Sequence, residues 1–198
     1  YLNQLTSQEK NLRDKLAEMM SSGTVSCGGR AKAGNMMFAM PLDCGFVSQG
    51  YGNTEYATKD KAYNGAIHNG VDIAVGANTA IHPIGNGVVY ATGTSPSGGW
   101  GNWIMVDHQN GYYSLYAHMI SPAFFSKGDK VTTEDTLGGV GGTPYWPVHL
   151  HLSLYKGVPS GWRDNEVGSY TEGTVDPFDY MQITISTKGT DWDSSHSH

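Results

Sequence analysis

Residues 147–155 read Pro147-Val148-His149-Leu150-His151-Leu152-Ser153-Leu154-Tyr155. Successive side chains of a strand point to opposite faces, so residues two apart share one. His149 and His151 therefore face one way, while Leu150, Leu152 and Leu154 face the other. That is the pattern of a strand with one side packed on a core and the other presented to a site.

Working outward, residues 67–75 read IHNGVDIAV and carry His68 and Asp72. Their four-residue separation aligns them on either a helix or a strand, but Asn69-Gly70 favours a turn that enters a strand over 71–75. Gly70 leaves room between the two side chains. A further histidine, His118, ends the strand-like run SLYAHM at 114–119. His68, Asp72, His118, His149 and His151 are thus five candidate ligands or acid–base groups on strand-like segments. Zinc takes imidazole nitrogen and carboxylate oxygen, and catalytic sites use three protein ligands with water in the fourth position. This set supplies three ligands and leaves two histidines over. A closed structural site would draw on four ligands, most often with cysteine, and the two cysteines here lie in a different region.

Over residues 41–181 the motifs run in the order HNGVD, GNGVVYATG, GGWGNWIMVDHQNGYYSLYAHM, KGDKV, HLHLSLY and VDPFDYM. In that order the chain resembles the lysostaphin-type (LytM-like) zinc metallopeptidases. The resemblance implies one zinc ion held by His68, Asp72 and His151, with His118 and His149 as the catalytic histidines beside the activated water. It also implies a bacterial peptidoglycan substrate, cleaved at interpeptide bridges or stem-peptide crosslinks, and a periplasmic or extracellular place in the cell envelope. The chain departs from the family pattern before its HxH motif, where Gly141-Gly142-Thr143-Pro144-Tyr145-Trp146-Pro147-Val148 stands, and this bears on the shape of the cleft. The loop at 159–174 is longer than usual and is expected to form one wall of that cleft. Within the pair, His149 is assigned as general base because it shares a strand face with His151, and His118 as the group that orients water or stabilises the oxyanion. The sequence alone does not divide those roles.

The remaining histidines, His82, His108, His196 and His198, are read as surface or satisfied core residues, with His108 supporting a hairpin. With 27 glycines, 12 tyrosines and 15% charged residues, the chain must join many short strands by turns. An all-β-dominated fold follows: an antiparallel β-sheet peptidase domain with an N-terminal helix. The net charge of −6 disfavours a nucleic-acid partner, and no apolar run is long enough to span a bilayer.

Residues 1–22 differ in kind. Leu2, Leu5, Leu12, Leu16 and Met19 follow three- and four-residue steps, a short coiled-coil seam through which a partner could pair. Thr6 with Glu9 also matches a capping box, which would start the helix later. The expected organisation is a helix at 1–22, a linker at 23–39, the peptidase domain at 40–182 and a C-terminal tail at 183–198, polar over 194–198. In an exported chain Cys27 and Cys44 would pair, closing a loop that stabilises by about 3 kcal/mol. Two other classes fit parts of the pattern. A non-catalytic regulator of cell-wall hydrolases would use the coiled-coil arm, but such regulators typically lose ligands and all five positions are filled here. A structural or adhesion module would have no use for His118 and His149.

Overall fold

The structure is a computed structural model that describes residues 30–95 and 99–195 of the chain. The expected helix and coiled-coil seam at 1–22, Cys27, His196 and His198 lie outside the described residues.

The strands are β1 (Phe46–Gln49), β2 (Val71–Ala74), β3 (Ala80–Ile81), β4 (Gly87–Ser95), β5 (Gly101–Asp107), β6 (Tyr112–Met119), β7 (Lys130–Val131), β8 (Gly138–Gly139), β9 (His149–Lys156) and β10 (Thr174–Val175). Eight of them form one antiparallel sheet in the order β1-β2-β9-β6-β5-β4-β7, with β10 also paired to β9, while β3 and β8 form a two-stranded ribbon. The helical content among the described residues is one short helix, α1 (Glu55–Thr58), capped by Thr54, and a 3-10 turn at Pro177–Asp179. The all-β, antiparallel expectation is therefore met.

Alternation decides which side each strand buries. Leu150, Leu152 and Leu154 of β9 join Val71 and Ile73 of β2 and Tyr116 of β6 in the main core. Each leucine is fully buried, contributing about 1.5–3 kcal/mol. The opposite face carries a second apolar layer, in which Trp103, Met105, Leu115 and Tyr155 are covered by Trp162. Trp162 comes from the long loop at 159–174, so that loop closes over half of this face. The other half holds His149, His151 and Asp72.

The chain on either side of the sheet is part of the body. Phe38 is buried, its backbone N–H donates to the Tyr180 carbonyl, and its ring lies 4.8 Å from that of His108. Residues 30–39 thus include a core residue where an irregular linker was expected, because Phe38 fills the main core beside Tyr112. Residues 183–195, set apart as a tail on sequence grounds, run alongside β1 through parallel bridges Phe46–Ser186 and Gln49–Asp191. An edge strand leaves its N–H and C=O groups unpaired, and this segment satisfies them. Cys44 is in a disulfide.

His108 sits in a buried relay that joins β5, β6 and the loop before β4. Its Nδ1–H donates to the Asn86 carbonyl, and its Nε2 lies 2.8 Å from Ser114 Oγ, which in turn lies 2.9 Å from the Tyr116 hydroxyl. Burial lowers the His108 pKa below its ordinary 6.5, against the opposing pull of the Asn86 carbonyl and Asp107. The unfolded chain therefore takes this proton first as pH falls. Stability held above pH 6.5 is expected to be lost as pH drops from there toward the lower folded value. Melting temperatures of the wild type and His108→Gln, followed from pH 8 downward, check this. The difference between the two should shrink as the solution becomes acidic.

Candidate metal centre and active site

β2 and β9 are neighbours, and in their register Asp72 pairs with His151 and Ala74 with His149. Residues directly opposite on antiparallel strands share a face. A carboxylate and two imidazoles are therefore fixed on one surface by backbone pairing alone. His68 arrives from the turn before β2, where it forms a two-way backbone bridge with Gly52. The turn passes so close to β9 that a Cβ on Gly70 would strike the Leu152 carbonyl oxygen and come within 2.7 Å of His151 Nε2. The close approach requires glycine.

His68, Asp72 and His151 form a group whose ligand atoms all lie within 4.8 Å of one another. Asp72 Oδ1 is 2.8 Å from His151 Nδ1, 3.3 Å from His68 Nε2 and 3.7 Å from His149 Nε2. The outward ring nitrogens explain how these atoms are aimed. His68 Nδ1–H donates to the Gly50 carbonyl at 2.7 Å, His118 Nδ1–H to Thr143 at 2.8 Å and His149 Nδ1–H to Pro147 at 2.6 Å. A carbonyl only accepts, so each of these rings carries a proton on Nδ1 and leaves Nε2 on the opposite side of the ring. His151 is mounted the other way round, with Nε2 at 2.8 Å from Ser153 Oγ and Nδ1 facing Asp72. Such outer partners fix tautomer and ring orientation in metal sites.

The electrostatics suit a cation. Burial would push the Asp72 carboxyl upward, but His68, His149 and the hydrogen bonds from His151 and His68 hold it well below the usual carboxylate range. Burial opposes protonation of His68, yet the Asp72 charge outweighs it and raises its pKa. The field that draws a proton to this point would draw a metal ion. His151 is lowered to about 4, by burial first and with the Asp72 interactions only partly offsetting it. His118 is held well below 6.5 by burial and by its neighbours His149 and His151. Two imidazoles and an ionised carboxylate make a donor set that Zn²⁺ takes, and three protein ligands leave a position for water or substrate.

His118 reaches the site by an irregularity. Along β6, Tyr116 faces the main core and Leu115 and Ala117 face the other layer. Regular alternation would send His118 into the core. Instead the β5–β6 register shifts between Asn102 and Ile104, and His118 takes φ 62°. This bulge turns the ring to within 4.7 Å of that of His149, while Met119 drops into the core. Bulges beside sites re-aim a side chain in this way, and a non-glycine residue in this region costs about 1–3 kcal/mol.

All five predicted residues are thus brought together. His82, whose Nδ1 lies 2.7 Å from the Asp135 carbonyl oxygen, and His108 are engaged elsewhere. Several neighbours were not singled out from sequence. Tyr63 stacks on His68 at 5.3 Å and donates its hydroxyl hydrogen to Gln49 Oε1. Trp100 meets His151 edge-on at 5.3 Å and packs on Trp162 and Tyr170. Ser153 continues the two-residue alternation of His149 and His151, so its place was readable; Tyr63 and Trp100 have no local signal. The unusual 141–148 segment contributes the Thr143 carbonyl to His118 and seats Trp146, whose indole N–H donates to the Gly99 carbonyl.

The family model of peptidase family M23 matches residues 66–175, more than half of the 198-residue chain and inclusive of all five residues. The chain belongs to peptidase family M23. Among curated M23 relatives, the peptidoglycan DD-endopeptidase ShyA of Vibrio cholerae is 36% identical over 90 residues, covering 45% of this chain and 20% of ShyA. The DD-carboxypeptidase/endopeptidase Mpg of Neisseria meningitidis is 35% identical over 77 residues, covering 39% of this chain and 17% of Mpg. The chain therefore spans about a fifth of the length of these relatives. The catalytic domain of the antimicrobial peptidase lysostaphin from Staphylococcus simulans superposes with a TM-score of 0.53 at 26% identity, covering 68% of this chain and 90% of that domain. The lysostaphin-type M23 fold is thereby shown.

Proposed function

We propose that this protein is a zinc-dependent endopeptidase that hydrolyses peptide bonds in bacterial peptidoglycan crosslinks. The observation that carries the reading is the convergence of His68, Asp72 and His151 with two further imidazoles, His118 and His149, whose rings lie 4.7 Å apart and are each held through Nδ1–H by a backbone carbonyl. A single zinc ion on the first three residues would supply Lewis acidity, polarising the scissile carbonyl and acidifying water at neutral pH.

In this mechanism His149 takes the proton of the attacking water at Nε2 and later delivers it to the leaving amine. Its Nδ1–H, tied to the Pro147 carbonyl, keeps that atom aimed through both transfers. His118, tied to Thr143 through its Nδ1–H, is left with an Nε2 acceptor that orients the attacking water. Trp100, Trp162 and Tyr170 form a packed aromatic wall that shields His151 from solvent.

The relatives named for DD-endopeptidase activity favour a D-amino-acid crosslink over a glycine bridge as the bond. A cell-envelope location, periplasmic or extracellular, follows from that substrate and is supported by the disulfide at Cys44, which belongs to an oxidising compartment. Among the described residues no helix is long and apolar enough to cross a membrane.

Mass spectrometry of peptidoglycan fragments, after incubation with the chain, with His149→Ala and with a chelated sample, tests the proposal. New peptide termini should appear only with the intact, metal-loaded protein, at D-amino-acid crosslinks. Stoichiometric zinc without cleavage by any sample would instead favour a regulator of other hydrolases.

A further inference from the structure

The segment after the family match holds the loop that presents His68. Residues 190–193 form a strap against residues 47–56. The Gly50 N–H donates to the Asp191 carbonyl at 2.8 Å, and the Asp191 N–H donates to Ser48 at 3.1 Å. The Asp191 carboxylate accepts from the backbone N–H groups of Glu55 and Tyr56, at 2.8 and 2.9 Å, and so fixes the start of α1. Asp193, only 5% exposed, accepts from the Asn53 N–H at 2.6 Å. Trp192 lies so close over Gly50 that a Cβ there would collide with its indole. Gly52, at φ 100°, has no room for a Cβ beside the Asp193 carboxylate.

These contacts matter for the site because the same short loop makes the outer shell of His68. Gly50 supplies the carbonyl that fixes the His68 tautomer, Gly52 supplies both backbone hydrogen bonds that hold its main chain, and Gln49 anchors the Tyr63 ring stacked on it. Among the described residues, the hydrogen bonds that hold His68 on this side all come from that loop. Its orientation is passed from Trp192 to Gly50 and from Asp193 to Asn53 and Gly52.

We infer that Trp192 and Asp193 are positioning residues for His68, and that the functional unit extends through residue 193, beyond the matched span of 66–175. The inference rests on His68 being a metal ligand, as proposed above. Loss of an outer partner in a metal site costs about 10- to 100-fold in affinity, and the strap should act on that scale although it touches no ligand atom.

The test uses the full chain as wild type, Asp193→Ala, Asp193→Asn and Trp192→Leu, with two readouts. In the metal-free protein, nitrogen-15 NMR should show a protected Nδ1–H on His68, from its bond to Gly50, that is lost in Asp193→Ala and Trp192→Leu. It should return in Asp193→Asn, which keeps an acceptor oxygen for Asn53. Zinc affinity, measured by competition with a chromophoric chelator, should fall about 10- to 100-fold in the first two variants and recover in the third. The Nδ1–H of His108, in the main core, reports whether each variant is folded; if Asp193→Ala is not, Trp192→Leu carries the test. Folded variants with an unchanged His68 resonance and wild-type zinc affinity would overturn the inference, leaving the strap as an edge cover for β1. A wild type that takes up no zinc would overturn the metal reading instead, while the His68 resonance would still decide whether the strap holds the ring.

Discussion

Asp72→Ala is expected to empty the metal centre and reduce peptidoglycan cleavage to the assay background. Asp72 Oδ1 is the atom on which the cluster converges, within 3.7 Å of ring nitrogens from His68, His149 and His151. It is also the only anion in the group that could hold the ion. Without it, three imidazoles surround a point with no compensating negative charge. The loss in zinc affinity should exceed the roughly 10- to 100-fold that removal of an outer partner costs. Zinc content after dialysis, measured beside the fragment assay, checks this. Because the backbone pairing of β2 with β9 does not depend on the side chain, the variant should keep its strand content by circular dichroism. Retention of stoichiometric, tightly held zinc would show that the ion is held by another set of residues.

His149→Ala should separate catalysis from metal binding. Its Nε2 is beyond the three-residue ligand group, so zinc should stay bound while kcat/KM falls about 10²- to 10⁴-fold, the range for a lost general acid–base group. His118→Ala should fall about 10²-fold, as for a misplaced attacking water. The double variant should lose far less than the product of the two, since residues acting on one proton-transfer step are not additive. Steady-state kinetics with zinc content measured on each sample decide the matter. If His149→Ala lost its zinc, or kept full activity with zinc bound, its assignment as base would fail.

How far these roles were readable follows from what local patterns encode. The alternation in residues 149–155 reports faces, and it placed the histidines opposite the leucines before any pairing was known. The Asn69-Gly70 turn was legible for the same reason: turn chemistry is local, and the close packing of Gly70 on β9 agrees with it. His118 was found by motif, but its route to the site was not. Strict alternation would have buried it, and only the bulge at β5–β6 redirects it. Tyr63 and Trp100 carry no periodic mark, because their roles depend on which loop lies against which histidine. The segment 183–195 reads in sequence as a C-terminal tail outside the domain, since a strap that pairs with an edge strand needs no apolar periodicity of its own. Its hold comes from main-chain bonds and carboxylate-to-amide contacts.

By itself the sequence determined that the chain is a β-rich protein with two histidines on one strand face, a histidine and an aspartate around a turn, and a fifth histidine at the end of another strand. Those are properties of residues two to four apart, and backbone geometry translates them directly into faces and turns. Only the tertiary structure decided that β2 and β9 are neighbours. It brings Asp72 against His151 across 79 residues of chain, bends His118 out of the core, and ties the loop that presents His68 to residues 191–193. Such contacts arise from strand order, register and the covering of an exposed edge, and these are set by the packing of the whole sheet.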